Sequence, residues 1–363
     1  MPTPDLVPIR DDLRAMHGYH SAQVDVEVRL NTNESPFPPP PGWREELTAA
    51  LAGVEWHRYP DRAARGLRAA IAGWHGIDPA TVFAANGSNE VLQTLLLTYA
   101  GPGRTVLTFE PTYQLHAHIA RITGATVVEA ERRADFTLDV DGARQAVVEH
   151  QPVVTFLCSP NNPTGIVDDP AVVEAVLEEA PGLVVVDEAY AQFASWSALD
   201  LVRDDRPLAV VRTFSKTWSM AAARLGYLVA PSWLIAHLED VVLPYHLDAA
   251  KQIAGTLAVR HVDEMDERVK IIVDERDRLV DGLISLPVTR PVEVFPSGAN
   301  FVLFRVGGGD VAEGHRVWQG LVERSVLVRD CSGWPRLGGC LRVTIGTPAE
   351  NDRFLAALAE VLA

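Results

Sequence analysis

Apolar runs of about five residues alternate with longer amphipathic segments over most of the first 230 residues. The apolar runs have the length of buried strands, and the segments between them repeat their apolar residues at helical spacing. Strand candidates cover residues 81–85, 104–111, 125–131, 152–160, 183–190 and 208–216. Helix candidates cover residues 43–51, 64–76, 88–100, 113–124, 140–150 and 169–180. This alternation predicts a mostly parallel sheet that helices cover on both faces.

The pattern changes near residue 245, and the rest of the chain predicts a smaller α+β domain. One long helix is expected from about Ala249 to residue 286, with a break or kink near His261. Short alternating strands in residues 291–306 and 325–346 precede a last helix over 351–363. The first forty residues are rich in proline and show neither a helical nor a strand period. The expected organisation is an N-terminal arm (1–42) that contributes to the functional site and the small domain, a large domain (43–245) and a small domain (246–363).

The composition is typical of a soluble globular protein of roughly two domains, with 363 residues, 47% hydrophobic and 22% charged. A net charge of −16 argues against nucleic acid as a partner but permits an anionic ligand held by a few arginines. Three cysteines provide no disulfide framework, which favours a reducing compartment. His116 and His118 form an HxH pair without a further ligand at metal spacing, so we expect no metal.

Targeting and membrane signals are missing from the sequence. The first residues lack the basic start and apolar core of a signal peptide. No apolar run approaches the ~18 residues that a spanning helix needs. We therefore expect a cytoplasmic protein that partners neither a membrane nor nucleic acid.

Polar residues follow the predicted strands, at the edge where parallel sheets bind ligands. Gly87, Ser88 and Asn89 begin a helix whose free N–H groups favour a phosphate, although a plain capping serine explains these residues equally well. The turn SPNNPTG (159–165) presents two amides directly after a buried strand. Asp187 ends an apolar strand, where a carboxylate is costly unless it is paired with a cation.

Lysine is scarce in this sequence, which makes the position of Lys216 informative. Only three of the 32 lysines and arginines are lysine: Lys216, Lys251 and Lys270. Lys216 follows a predicted buried strand and Ser215, and Arg224 comes eight residues later. A partly desolvated amine there can form a Schiff base or act as a general base. By itself the Ser-Lys pair is more typical of a protein surface, and Lys251, without a strand end or a neighbouring arginine, is interpreted as a solvated helix residue.

One cofactor accounts for these residues when they are taken together. Pyridoxal phosphate needs an amine for its carbonyl, a carboxylate for its ring nitrogen and donors for its phosphate. It also needs partners for its phenolic oxygen and a stacking face for its ring. The sequence offers candidates for all of these groups: Lys216, Asp187, Ser88, Ser215, Arg224, Asn162, Tyr190 and Tyr113.

The motifs resemble those of fold-type-I pyridoxal-phosphate aminotransferases, and within that group the chain is similar to histidinol-phosphate aminotransferases. The shared motifs run nearly end to end: LNTNESP, HRYPD, NGSNE, PTY, SPNNPTG, VVVDEAY, RTFSK, ARLGY, ANFVLF and VRDCSGWPRLGGCLRVTIGT. SPNNPTG, DEAY and SK are specific for the fold and the cofactor, and less so for the substrate. The resemblance implies a large domain with a mostly parallel sheet of seven strands and a smaller α+β domain. One departure is the segment TWSMAAARLGY with Trp218, although the spacing of eight from Lys216 to Arg224 is kept.

The resemblance also implies a role for each matching residue around the cofactor. The expected catalytic residues are Lys216, as Schiff-base lysine and proton shuttle, with Asp187 at the pyridine nitrogen and Tyr190 at the ring oxygen. The other expected cofactor contacts are Asn162 at the ring oxygen, Tyr113 stacked on the ring, and Ser88, Asn89, Ser215 and Arg224 at the phosphate. Tyr59, in HRYPD, would reach that phosphate from the other subunit of a homodimer.

On the substrate side, the resemblance implies an anion site. Arg342 matches the arginine that receives the substrate's carboxylate or phosphate. Arg329 and Tyr19 match positions that bind the substrate's phosphate, and Asn33 would line the pocket mouth. Two guanidinium groups suit both a phosphate and a dicarboxylate, because both accept fork-like hydrogen bonds.

The expected reaction is transamination between histidinol phosphate and 2-oxoglutarate, which gives imidazole-acetol phosphate and glutamate in histidine biosynthesis. Two alternatives stay open. The first is an aromatic-amino-acid aminotransferase on the same scaffold, since a few pocket residues separate the two activities. The second is a phosphothreonine-type decarboxylase, a lyase that would hold the carboxylate, instead of the Cα–H bond, perpendicular to the cofactor ring.

Overall fold

The computed structural model describes residues 7–14, 16, 18, 22–288 and 292–363. Of the two sheets in this structure, the larger has seven strands. They are β2 (Val82–Ala85), β3 (Thr105–Glu110), β4 (Thr126–Glu131), β5 (Val154–Cys158), β6 (Leu183–Asp187), β7 (Leu208–Thr213) and β8 (Gly226–Val229), in the order β2-β8-β7-β6-β5-β3-β4. β8 is antiparallel to both neighbours, and the other pairs are parallel. The predicted fold class, a mostly parallel seven-stranded sheet in an α/β protein, is confirmed.

Helices bury both faces of this sheet. They are α1 (Pro41–Ala52), α2 (Arg65–His75), α3 (Gly87–Tyr99), α4 (Leu115–Ile122), α5 (Val140–His150), α6 (Pro170–Glu179) and α7 (Ser232–Val241). In β6, Val185 packs in a cluster with α3 and α7, whereas Val184 and Val186 pack with α5 and α6. A strand covered on both faces must be apolar at every position, which explains the unbroken run before Asp187.

A second, five-stranded sheet is formed mainly by the C-terminal third of the chain. Its order is β1-β11-β12-β10-β9, with β1 (Val28–Leu30), β9 (Glu293–Val294), β10 (Phe301–Arg305), β11 (Val326–Asp330) and β12 (Cys340–Thr344). Two further helices, α10 (Val311–Glu323) and α11 (Pro348–Leu362), pack against it. The side chain of Thr347 and that of Glu350 form a capping box that starts α11.

The sequence pattern predicted no strand in the first forty residues, and this prediction is wrong. β1 pairs in parallel with β11, so that Val28 lies opposite Val326 and Leu30 opposite Val328. Val28 and Leu30 are buried and Arg29 is exposed, which is the alternation expected of a strand. Three residues are too few for this alternation to stand out within a proline-rich segment. The pairing places residues 31–35 directly beside the second sheet.

The predicted break in the long helix is confirmed. α8 (Ala249–Ala258) is separated from α9 (Val262–Ile284) by a short 3-10 turn at Val259–His261. α8 packs against α1 and α2, whereas α9 packs against α11 and the second sheet. The broken helix therefore runs from one sheet unit to the other. Within the described residues, no helix has both the length and the apolar character needed to cross a bilayer.

A buried ion pair fixes the turn that follows β5. Arg132 donates to both carboxylate oxygens of Asp168, at 2.7 and 3.0 Å, and also to the carbonyls of Phe109 and Cys158. The backbone N–H of Asp168 in turn donates to the hydroxyl of Ser159. Both charged side chains are inaccessible to water. Each donor and acceptor must therefore find its partner within the protein, which holds residues 159–168 in one arrangement.

We predict that Arg132→Met destabilises the protein strongly. The substitution leaves the Asp168 carboxylate buried without its cation, which typically costs about 3–5 kcal/mol of the free energy of unfolding. Urea denaturation followed by circular dichroism measures the loss. Arg144→Met is the matched control, because Arg144 and Glu178 form an exposed pair worth about 1 kcal/mol or less. Equal losses in the two variants would contradict the prediction.

Candidate active site

A cavity of about 220 Å³ lies at the carboxyl ends of β5, β6 and β7, the edge at which the strand pattern predicts a site. Cys158, Asp187 and Thr213, the last residues of these strands, all line it. The cavity brings together most of the residues singled out from the sequence: Asn33, Ser88, Asn89, Tyr113, Asn162, Asp187, Tyr190, Ser215, Lys216, Arg224 and Arg342. These side chains come from both ends and the middle of the chain.

The amine of Lys216 is largely removed from water and points at a backbone carbonyl. Its Nζ donates to the carbonyl of Thr32 at 2.9 Å and lies 5.8 Å from the centre of the Tyr190 ring. Burial, together with the positive charges of Arg342 and Arg224, lowers the pKa of this amine to about 7, and the carboxylate of Glu34 opposes the shift. The neutral, nucleophilic form is therefore accessible near neutral pH, as the chemistry of a carbonyl-binding lysine requires.

An anion cradle, formed by the start of α3 at Gly87 with Ser215 and Arg224, lies beside Lys216. Arg224 donates to the hydroxyl of Ser215 at 3.2 Å. Gly87 has φ +79°, and a Cβ at this position would lie 2.9 Å from the guanidinium of Arg224. Glycine thus lets the guanidinium approach the free N–H groups of the helix start, where the helix dipole favours an anion. Hydroxyl, guanidinium and backbone donors together suit a phosphate group.

Asp187 has a partner that the sequence did not reveal. Its carboxylate is buried and bonds to Nε2 of His116 at 2.9 Å, and it also accepts from the backbone N–H of Ala189. His116 stacks in parallel on Phe156, with ring centres 4.5 Å apart. Among the described residues, Nδ1 of His116 has no hydrogen-bond partner. The ring nitrogen that faces the carboxylate is Nε2, so the hydrogen bond to Asp187 is assigned to a proton on that atom.

The phenol of Tyr190 is fixed by residues that follow β1. Asn33 donates from Nδ2 to the Tyr190 hydroxyl at 2.9 Å, and the backbone N–H of Asn33 donates to Thr344 on β12. Burial raises the pKa of Tyr190, so the phenol stays protonated. Because its oxygen accepts from Asn33, its own hydrogen is available to a ligand in the cavity.

Arg342 brings the second sheet into the cavity wall. It lies on β12, donates to the side-chain oxygen of Asn162, and donates to the carbonyl of Asn31 at 3.0 Å. Its guanidinium also lies over the ring of Phe301, 5.1 Å from the ring centre. Its Nε is buried without a hydrogen-bond partner among the described residues. A buried guanidinium with a donor to spare is suited to an incoming carboxylate or phosphate.

Three residues singled out from the sequence do not line this cavity. Arg329 lines a neighbouring groove, although it lies directly opposite Arg342 in the pairing of β11 with β12. The side chain of Tyr59 is 81% exposed and stacks on Tyr245, with ring centres 4.5 Å apart. Tyr19 lies outside the residues that the structure describes. The roles assigned to these three residues stay predictions.

Sequence reasoning missed several lining residues and one buried contact. Thr32 was missed because its carbonyl reaches Lys216 only through the pairing of β1 with β11. Thr213 and Cys158 are small strand-end residues without a chemical signature of their own. His116 was weighed only as a metal ligand. The signal for its true contact was available, since the buried carboxylate at Asp187 demands a hydrogen-bond donor. Among the described residues, no group of three or more potential ligands could hold a metal ion.

The sheet order and the strand-end cavity define a fold-type-I pyridoxal-phosphate transferase. The chain belongs to the class I and II aminotransferase family, whose family model matches residues 25–358. The predictions of family, of aminotransferase activity and of pyridoxal phosphate as cofactor are thereby confirmed. The observed donors fit that cofactor, because the cradle offers phosphate donors, Asp187 offers a buried carboxylate and Lys216 offers an amine whose pKa is lowered to about 7.

Named relatives share nearly the whole length of the chain. The histidinol-phosphate aminotransferase of Thermobifida fusca is 46% identical over 361 residues, which are 98% of this chain and 95% of that protein. The histidinol-phosphate aminotransferase of Corynebacterium diphtheriae is 43% identical over 366 residues, 98% of this chain and 96% of that protein. The crystal structure of histidinol-phosphate aminotransferase from Sinorhizobium meliloti in complex with pyridoxal-5'-phosphate has a TM-score of 0.84 at 24% identity, covering 93% of this chain and 91% of that one. This last likeness shows the fold.

We predict that the positive charge of Arg342 helps to set the pH at which the amine of Lys216 becomes reactive. In the cofactor-free protein, acetylation of Lys216 by acetic anhydride should rise with a midpoint near pH 7. Arg342→Gln removes a positive charge from beside the amine, so the midpoint should move to higher pH. Peptide mass spectrometry measures the modification, with Lys251 in the same sample as internal reference.

Arg121→Gln is the control for this measurement, since Arg121 lies outside the cavity and pairs with Glu129. The midpoint should be unchanged in this variant. A midpoint that stays in place or falls in Arg342→Gln would show that Arg342 does not act on the amine.

Proposed function

We propose that this protein transfers the amino group of histidinol phosphate to 2-oxoglutarate, giving imidazole-acetol phosphate and glutamate in histidine biosynthesis. The observation that carries the chemistry is the amine of Lys216, buried in one cavity between Arg224 and Arg342. The proposed substrate follows the names of the relatives, which are 46% and 43% identical to this chain over 98% of its length.

The residues of the cavity divide the work of transamination. When bound, pyridoxal phosphate supplies the carbonyl that captures the amino group and the ring that accepts electrons from the broken bond. Lys216 would serve as the proton shuttle that takes up the proton from the substrate's Cα and releases it again, and a pKa of about 7 makes both of its protonation states accessible. Asp187, held by His116, would pair with the ring nitrogen and keep it protonated. Tyr190 and Asn162 would hold the ring oxygen.

The remaining cofactor contacts are proposed from position. Tyr113 donates to Asn89 at 3.2 Å, which holds its phenol at the cavity wall, where its ring can stack on the cofactor. The proposed phosphate donors are Ser88, Asn89, Ser215 and Arg224. Asn33, through its bond to Tyr190, belongs at the same wall.

The two arginines of β11 and β12 are proposed to select the substrate. Arg342 lines the cavity, where its guanidinium can bind the phosphate of the amino donor or a carboxylate of 2-oxoglutarate. Arg329, on the neighbouring strand, adds a second positive charge on the same side. Tyr19 is proposed to join them. Histidinol phosphate carries a dianionic phosphate, and 2-oxoglutarate carries two carboxylates. One pair of guanidinium groups can therefore bind either substrate in its half-reaction.

The active unit is proposed to be a homodimer in which Tyr59 reaches the cofactor phosphate of the partner subunit. Supporting this, the phenol of Tyr59 is exposed and lies outside the cavity of its own chain.

We also propose the division of the chain into an arm (1–42), a large domain (43–245) and a small domain (246–363). A cytoplasmic location is proposed from the three free cysteines.

A panel of half-reactions tests the substrate. With each amino donor supplied alone, the holoenzyme should react fastest with histidinol phosphate, as monitored by the cofactor's absorbance, and 2-oxoglutarate added afterwards should restore the starting spectrum. Phenylalanine should react more slowly, and phosphothreonine should release no carbon dioxide. Faster reaction with phenylalanine would favour the aromatic aminotransferase, and release of carbon dioxide would identify the lyase.

Mixing two inactive variants tests the shared site. Lys216→Ala should lose nearly all turnover, and Tyr59→Ala should bind the cofactor weakly. In a hybrid dimer one site then keeps both Lys216 and the partner's tyrosine, so the mixture should regain activity above the sum of its components. Lys216→Ala mixed with Lys216→Arg is the control, since no hybrid of these restores a complete site. Absence of any gain in the first mixture would rule out a tyrosine supplied across the interface.

A further inference from the structure

A charged groove of about 520 Å³ lies next to the active-site cavity. The two are neighbours because Tyr113 lines the cavity and Gln114 lines the groove. Three arginines and three glutamates face the groove, together with one tryptophan: Arg121, Arg329, Arg336, Glu110, Glu129, Glu131 and Trp334. The groove thus places the guanidinium of Arg329 among carboxylates and one indole, all of which can bind a cation.

The strand register places Arg329 beside the cavity. Arg329 on β11 is the direct partner of Arg342 on β12 in an antiparallel pair. Side chains of directly opposed residues emerge on the same face of the sheet, about 4.5–5.5 Å apart at Cβ. Arg342 lines the cavity, so an anion bound to Arg342 comes within range of the guanidinium of Arg329. Two like charges in this arrangement repel each other until an anion or another group offsets them.

The indole of Trp334 stabilises the positive charge of Arg329. The guanidinium carbon lies 5.3 Å from the centre of the indole ring, within the distance of a cation–π contact. Trp334 belongs to the loop between β11 and β12, and its backbone donates to Cys331 and accepts from Leu337. The same loop is tied to the large sheet, because Arg336 donates to the carbonyls of Glu110 and Arg133. The indole is therefore held in place by its own loop.

We propose that Trp334 is a specificity-determining residue that keeps Arg329 next to Arg342 and so gives the enzyme its preference for phosphorylated amino donors. The inference rests on the proposed function, since it assumes a donor that carries a phosphate. An aromatic face stabilises the guanidinium without neutralising it, so the charge stays available to the substrate. Loss of the indole removes this contact beside Arg342 and leaves the carboxylates of Glu110 and Glu131, which line the same groove, as competitors for the guanidinium.

The test compares histidinol phosphate with histidinol, which differ only in the phosphate. In Trp334→Leu, the ratio of kcat/KM for the phosphorylated over the unphosphorylated donor should fall roughly tenfold, the size of an intermediate cation–π contact. The loss should appear in the KM of histidinol phosphate, with kcat unchanged, because the phosphate is remote from the reacting bond. Trp334→Phe, which keeps an aromatic face, should retain most of the ratio.

A double-mutant cycle separates this role from a general loss of structure. Arg329→Met should lower the ratio at least as far, and adding Trp334→Leu to Arg329→Met should lower it no further. Trp233→Leu is the control, since Trp233 lies on α7 outside the groove and the cavity. If Trp334→Leu fails to fold, Trp334→Gln takes its place at this half-buried position.

Two results would overturn the inference while leaving the proposed function intact. One is a wild-type preference for histidinol phosphate that Trp334→Leu retains. The other is an equal loss from Trp334→Leu with and without Arg329. A wild-type enzyme that shows no preference for the phosphorylated donor overturns the proposed function, and this inference falls with it.

Discussion

Burial of the Lys216 amine is the constraint around which the cavity is arranged. An ammonium group loses its hydration there and is repelled by Arg342 and Arg224, so the neutral amine becomes accessible near pH 7. The same two guanidinium groups favour anions, so one field lowers the pKa of the amine and attracts anionic ligands. A chain with a net charge of −16 thus has a local positive potential at this cavity, where low dielectric strengthens it.

Rigid strand ends hold the reacting groups in that field. Asp187 faces the cavity, whereas the next residue, Glu188, is buried on the other side and pairs with Arg212 at 2.7 Å. Glu188 also accepts from the backbone N–H of Ala198. Polar residues on the far side therefore fix the strand ends without crowding the cavity. The ion pair of Arg132 with Asp168 does the same for the turn that carries Asn162.

The sequence predicts this site well wherever chemistry coincides with a strand end. Lys216, Asp187 and Asn162 each follow an apolar run, and parallel strands bring such ends to one edge. The sheet class and the break near His261 followed from the same patterns. The contact of His116 with Asp187 and that of Thr32 with Lys216 did not, because each joins distant segments through tertiary packing. The strand register places Arg329 opposite Arg342, and the contact of Arg329 with Trp334 was not predicted from the sequence.

Because β1 pairs with β11, the site cannot be completed before both strands have been synthesised. Val28 leaves the ribosome about 300 residues before its partner, Val326. Until then, residues 31–33 have no strand to hold them, and neither the carbonyl that receives Lys216 nor the amide that fixes Tyr190 is in place. A sheet that closes over so long a sequence separation forms late. A nascent chain therefore carries Lys216 without a finished pocket until β11 has been synthesised.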